Sequence, residues 1–238
     1  MSLAWIPYAS GRAHSARPLA GILPLALALG LLLAGLAAAL SPAPDSATTS
    51  STGVTSSTVP ISNTQPAAAL APQFTPTVQF WAADIERWST EYGLPSTWIA
   101  IVMQIESCGH PSVRSRAGAA GLFQVMPFHF ARGEDPLDVE TNARRGLEYL
   151  AGAYASAAGD AGRAFAGYNG GHGLIRLPST RWPAETQRYA HWGAGILTDI
   201  EAGTMPSPTL AAWLDAGGSR LCRQAADVLG LADGVPSA

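Results

Sequence analysis

Residues 18–40, PLAGILPLALALGLLLAGLAAAL, carry no charged side chain. As a helix rising about 1.5 Å per residue, a run of this length covers the roughly 30 Å hydrocarbon core of a bilayer. Outside a membrane such a helix would need burial on every side. Arg12, His14 and Arg17 precede the run, and Asp45 is the first charge after it. Positive charge on the N-terminal flank predicts a cytoplasmic segment 1–17, a single-pass anchor over 18–40 and an extracytoplasmic remainder. A cleaved signal peptide is the alternative, with Ala37-Ala38-Ala39 as the cleavage region and secretion of the rest. The run exceeds the usual signal core of about 7–15 residues, which favours the anchor. No Cys lies near it, which excludes lipid attachment there.

Residues 41–78 are rich in Ser, Thr, Pro and Ala and hold one charge. Such a stretch cannot bury a core and predicts a disordered linker. The composition changes at Gln79, and residues 79–238 are expected to form one folded domain with a C-terminal helical extension. Charged residues are 13% of the chain and hydrophobic residues 47%, with a net charge of −3. No nucleic-acid partner is expected from that balance. The basic residues are all Arg, so P-loop, Schiff-base and kinase lysine chemistry is excluded. Two Cys and five His without an H-E-x-x-H spacing give no metal site, and no cofactor is expected.

The fold class reads as mainly α. Trp81, Ile85 and Trp88 recur at helical spacing, and LPSTWIAIVMQIES follows with Ser96 as the expected N-cap. ETNARRGLEYLAGAYASAA aligns Ala143, Leu147, Leu150 and Tyr154 on one face. AETQRYAHWGAGILTDI and SPTLAAWLDAG are further helices, and LCRQAADVLGLAD is a short one. No sustained period-2 pattern predicts a strand.

Within the second helix Ile99, Val102, Met103 and Glu106 share a face. Glu106 therefore sits on an apolar stripe near a helix C-terminus. Desolvation and the negative end of the helix dipole both raise a carboxyl pKa there. An acid kept protonated near neutral pH can protonate a leaving group. Periodicity alone fits a surface Glu in the last turn equally well.

The residues that follow resemble the Glu-Ser motif of the soluble lytic transglycosylase family, of goose-type lysozyme-like fold. The matching residues are Glu106-Ser107 with Pro111, then Ser115, Gly118-Ala119, Gly121-Leu122-Phe123-Gln124 and Met126-Pro127. Gly167-Tyr168-Asn169-Gly170-Gly171 resembles the family's A-Y-N-A-G, with Gly167 where Ala is usual. Glu185-Thr186 and Tyr189 resemble E-T-x-x-Y, and Asn142 to Leu150 resembles N-x-x-x-G-x-x-Y-L. The resemblance covers about residues 80–200.

The resemblance implies a peptidoglycan lytic transglycosylase, a glycan-cleaving lyase that leaves a 1,6-anhydro-N-acetylmuramic acid end. It implies Glu106 as sole acid and base, with Ser107 capping the helix end. Ser115, Gln124 and Met126 would line the cleft, Tyr168 and Asn169 would bind the reacting sugar's acetamido group, and Tyr189 would reach toward Glu106. Each has a plain alternative: turn hydroxyl or amide for Ser115 and Gln124, core filling for Met126, packing for Tyr168 and Tyr189, a Gly-rich turn for Asn169. Asp138, Glu140 and Glu185 read as helix-start residues. Glycan strands and, through residues 18–40, the cytoplasmic membrane are the expected partners of a monomer. Cys108 and Cys222 are expected to pair in the extracytoplasmic compartment, clamping the C-terminal helix beside the acid's helix; two free thiols are the alternative. Rival readings are a hydrolytic goose-type lysozyme and a non-catalytic wall-binding module.

Overall fold

A computed structural model of the chain describes residues 70–231. The anchor expected over 18–40 lies outside them, and among the described residues no helix is long and apolar enough to cross a membrane. The expected linker reaches into the described region and is corrected there. Leu70, Phe74, Thr77 and Val78 are buried, so the folded domain begins no later than Leu70 rather than at Gln79. The Ser/Thr/Pro-rich composition hid three apolar anchors and hydroxyls that bond inside the domain.

Short helix α1 (Pro76–Gln79) opens on a proline, which needs no N–H partner in the first turn. In α2 (Ala82–Tyr92) Ile85 and Trp88 are buried, as their spacing predicts. Helix α3 (Ser96–Glu106) is buried at every position from Trp98 to Gln104, the pattern of a central core helix. Ser96 is not its N-cap. Pro95 takes that position and no side chain caps the turn, because the fixed proline φ already sets the chain's entry.

Asp138 caps α4 (Val139–Ala157) by accepting from the Thr141 N–H at 2.8 Å, and Asp160 caps α5 (Ala161–Gly170) from the Arg163 N–H at 2.9 Å. Ala143, Leu147 and Leu150 of α4 are buried as expected. Trp98 of α3 joins the layers: its ring stacks on Phe165 of α5 and meets the edge of Tyr154 of α4, both at 4.8 Å. Helix α6 (Ala184–Glu201) packs along α5 and α3. Helix α7 (Pro208–Trp213) is joined to α8 (Ser219–Leu229) across a kink at Gly217, whose φ of 127° is not helical. Among the described residues there is no strand, only isolated bridges from Ala120 to Arg114 and Val125.

The expected disulfide joins Cys108 to Cys222, with Cα atoms 5.0 Å apart across 114 residues of sequence. Buried Gln104 organises this corner. Its Nε2 donates to Cys108 Sγ at 3.0 Å, while Oε1 accepts from the Thr75 N–H at 3.2 Å and the Thr75 hydroxyl at 2.9 Å. The N-terminal segment, α3 and α8 are thus fastened at one point. Replacing both cysteines by serine is expected to lower the melting temperature by about 5–15 °C, from a chain-entropy effect of roughly 2–5 kcal/mol. An unchanged melting curve for the double variant in a thermal scan would show that the bridge holds nothing down.

Candidate active site

The chain leaving α3 turns back as an irregular loop, and Ala119 to Phe123 and Val125 are buried. Turn bonds within the loop pair several of its peptide groups, and three side chains from the end of α3, from α4 and from α5 meet others. Ser107 donates to the Leu122 carbonyl at 2.7 Å. Asn142 accepts from the Phe123 N–H at 3.0 Å and donates to the Ala120 and Pro136 carbonyls at 2.8 and 2.9 Å. The Tyr168 hydroxyl donates to the Phe123 carbonyl at 2.8 Å. Gly146 permits this approach, since a Cβ there would lie 2.5 Å from Phe123 Cβ. The loop so held carries Gln124 at φ +45°, a left-handed conformation that an unbranched polar residue adopts only when its surroundings impose it.

Glu106, the last residue of α3, opens onto a cavity of about 310 Å³ lined also by Gln124, Met126, Tyr168, Asn169 and Glu185. Glu106 as a whole is half-buried, meeting the cavity and the protein around it. That desolvation pushes its pKa from 4.5 up to about 8; the Tyr189 side chain draws it partly back, and the Glu185 charge raises it further. The buried Tyr189 hydroxyl makes no hydrogen bond of ordinary geometry, so its hold on Glu106 is loose. Arg145 also lines the cavity, but Glu134 engages it at 2.7 and 2.9 Å. The Arg145 guanidinium first, then the Ala131 N–H, hold the Glu134 carboxyl down to about 2.

Amide orientations define what the cavity offers a ligand. Asn169 Oδ1 accepts from the Thr186 hydroxyl at 2.8 Å, which leaves the Asn169 NH2 group to donate. Gln124 Nε2 donates to the Val113 and Gly121 carbonyls, both at 3.1 Å, so Gln124 presents its carbonyl oxygen as an acceptor. The cavity thus combines one donor amide, one acceptor amide and an acid protonated at neutral pH. Among the described residues no three His, Cys, Asp or Glu side chains gather as a metal ion would require.

Residues 84–189 match the family model of the transglycosylase SLT domain. This segment is an SLT domain. Soluble lytic murein transglycosylases of Escherichia coli K12 and O157:H7 are each 30% identical to the chain over 103 residues, which is 38% of this chain and 16% of theirs. The chain therefore spans only about a sixth of the curated relatives' length. Among solved structures, an inactive mutant of the lytic transglycosylase Slt of Pseudomonas aeruginosa aligns with a TM-score of 0.42 and 24% identity over 53% of this chain and 25% of that one. The 70 kDa soluble lytic transglycosylase of Escherichia coli aligns at 0.37 and 22% over 66% and 26%.

Of the residues named from sequence, the SLT domain brings Glu106, Gln124, Met126, Tyr168 and Asn169 to one cavity, with Tyr189 behind Glu106. Ser115 is not among the lining residues. Its hydroxyl accepts from the Ala119 N–H at 3.0 Å and closes a turn, the plain alternative for this residue. Tyr168 contributes its ring to the wall, while its hydroxyl proton is committed to the loop. Glu185 stands in the first turn of α6, as a helix-start residue should, yet it also lines the cavity. Burial raises its pKa. Sequence reading missed that second carboxylate, the Thr186 clamp, and the rings of Phe128, His129 and Tyr149. The order E-T was visible; which way each side chain faces depends on α5, which no local pattern supplies.

The raised Glu106 pKa has a stability consequence with a definite sign. Below pH 4.5 the acid is protonated in both states; between 4.5 and about 8 the unfolded chain releases the proton and the folded one keeps it, so stability falls as pH rises. Glu106→Gln carries no such penalty. Urea titrations should find the variant equal to wild type near pH 4.5 and more stable by about 1–3 kcal/mol at pH 8, allowing for the solvent contact that Glu106 keeps. A difference independent of pH would mean that Glu106 is not a desolvated acid.

Proposed function

We propose that the SLT domain is a lytic transglycosylase, cleaving the β-1,4 bond between N-acetylmuramic acid and N-acetylglucosamine in peptidoglycan. The observation that carries the reading is Glu106, an acid held protonated near neutral pH on the wall of a cavity with oriented amides. The names of the similar proteins supply the reaction class. Glu106 gives its proton to the glycosidic oxygen as the C1–O bond breaks. The acetamido carbonyl of the same muramyl ring supports the positive charge developing at C1. The Glu106 carboxylate then removes the proton of the C6 hydroxyl, and O6 closes onto C1. Glu106 ends the cycle protonated, and no water is consumed. The Asn169 NH2 group and the Gln124 carbonyl hold the acetamido group or neighbouring hydroxyls, and the Tyr168 ring walls the reacting sugar.

One observation favours a hydrolytic muramidase instead: Glu185 lines the same cavity, and hydrolysis of this bond ordinarily requires a second carboxylate to activate water. Mass spectrometry of digested peptidoglycan separates the two. The transglycosylase product is lighter by one water than the reducing-end product. Glu106→Gln should reduce turnover by roughly three decades or more, since the amide keeps the size but not the proton. In wild type, kcat/KM should fall as pH rises through about 8, where Glu106 ionises. Reducing ends in the digest, or near-normal turnover by Glu106→Gln, would refute the one-acid mechanism.

We also propose that residues 18–40 anchor the chain in the cytoplasmic membrane with the domain outside. Support comes from the flanking Arg residues and from the disulfide, a bond that persists in oxidising compartments. Protease added to intact spheroplasts should digest the domain; full protection would reverse the topology.

A further inference from the structure

Phe128 is the most exposed large apolar side chain among the described residues, at 74%. It is not a loose tip. It lies in the short 3-10 turn Pro127–His129, which opens on a proline, and its ring packs on His129 with centroids 4.5 Å apart. His129 packs on Tyr149 at 4.7 Å, and Tyr149 stacks on His172 at 4.3 Å with planes 21° apart. The far end of this row is anchored. His172 Nε2 bonds the Tyr149 carbonyl at 3.0 Å, and the ring occupies space left by Gly152, where a Cβ would lie 2.7 Å from His172 Cε1. Phe128, His129 and Tyr149 line the same cavity as Glu106 and Asn169. The row is thus continuous with the candidate active site, fixed at its inner end and open to solvent at its outer end.

We propose that Phe128, backed by His129 and Tyr149, is a stacking platform for a further pyranose ring of the glycan strand, beyond the sugars that flank Glu106. The inference rests on the glycan-cleaving reading above. A β-linked hexopyranose has a C–H face that is apolar and nearly flat, while its hydroxyls point outward around the rim. Such a ring covers an exposed aromatic face without desolvating its own polar groups. The platform is held by packing, so little ordering opposes binding. A long glycan reaches it while its scissile bond lies at Glu106; a short one does not.

The test uses the detergent-solubilised full chain with Glu106→Gln, expected to turn over too slowly to consume the probe, and chitooligosaccharides of two to six N-acetylglucosamine units, which carry no peptide. Affinity should rise with length. Adding Phe128→Ala should remove roughly fivefold to tenfold of the affinity for the longest oligomer and leave the shortest unchanged. Phe128→Trp should restore the gain, and Phe128→Leu, apolar but not flat, should not. If Phe128→Ala binds every length as its parent does, the platform is refuted while the proposed function stands. An equal loss at all lengths, or full restoration by leucine, also refutes stacking. If the parent binds no oligomer of any length, the platform and the glycan reading fall together.

Discussion

A buried loop must place each of its N–H and C=O groups on a partner, because neither helix nor sheet does so for it. The segment from Ala119 to Val125 meets this constraint partly through its own turn bonds and partly through three residues far apart in sequence: Ser107 at the end of α3, Asn142 in α4 and Tyr168 in α5. Ser107 and Asn142 bond the two ends of the Leu122–Phe123 peptide, Asn142 also bonds the Ala120 carbonyl, and Tyr168 bonds the Phe123 carbonyl. Removing any one leaves an unsatisfied buried carbonyl or N–H, at a cost of about 1–3 kcal/mol. The loop in turn holds Gln124 in a left-handed conformation on the cavity that Glu106 also lines. The relative positions of α3, α4 and α5 and the shape of the cavity are therefore one structural problem with one solution.

That coupling explains what the amino-acid order could reveal. Helical period put Glu106 on the apolar face of α3 but fitted a surface Glu equally well; the motif residues after it decided between the two, and the buried run from Trp98 to Gln104 agrees with the apolar face. Asp138 was legible as a cap because capping is local, three residues from donor to acceptor. Tyr168 was only half legible. Its position in the cavity follows from the motif, but its hydroxyl serves a peptide group 45 residues away, and no local rule reaches that distance. Ser115 does not line the cavity, and its hydroxyl oxygen accepts from the Ala119 N–H four residues on, a local turn bond. The start of the domain was hidden by composition, since Thr75 and Thr77 look like linker residues until they meet Gln104 and Cys108.

The departure at Gly167, where the resembled motif has Ala, has a packing cause. A Cβ at this position would lie 2.5 Å from Ile175 Cδ1 and 2.6 Å from Ile175 Cγ1. Ile175 is buried just after the turn that carries His172. An isoleucine there fills the space a methyl group at 167 would take. The glycine costs some helix propensity, about 1 kcal/mol relative to alanine, and the buried branched side chain offsets it. The same turn supports His172 beneath Tyr149. The substitution thus belongs to the packing of the α5 exit and leaves the amide of Asn169 where Thr186 holds it.

Gln104 and Glu106 are two residues apart in α3, so they point to nearly opposite sides of the helix. Gln104 faces the disulfide and the N-terminal segment; Glu106 faces the cavity. The first is a polar group with its needs met, and the second is an acid whose ionisation is disfavoured by burial. Holding such an acid in place requires that the helix end neither fray nor rotate, because a modest turn of its last residues would move the carboxyl out of the cavity. Two fixings oppose that motion from the two sides. Ser107 ties the helix end to the loop, and Cys108, one residue further, ties it to α8. The strain of a positive φ at Cys108 is tolerated because both neighbours of the acid's carrier are anchored, which lets the fold keep an unfavourable charge environment where the chemistry uses it.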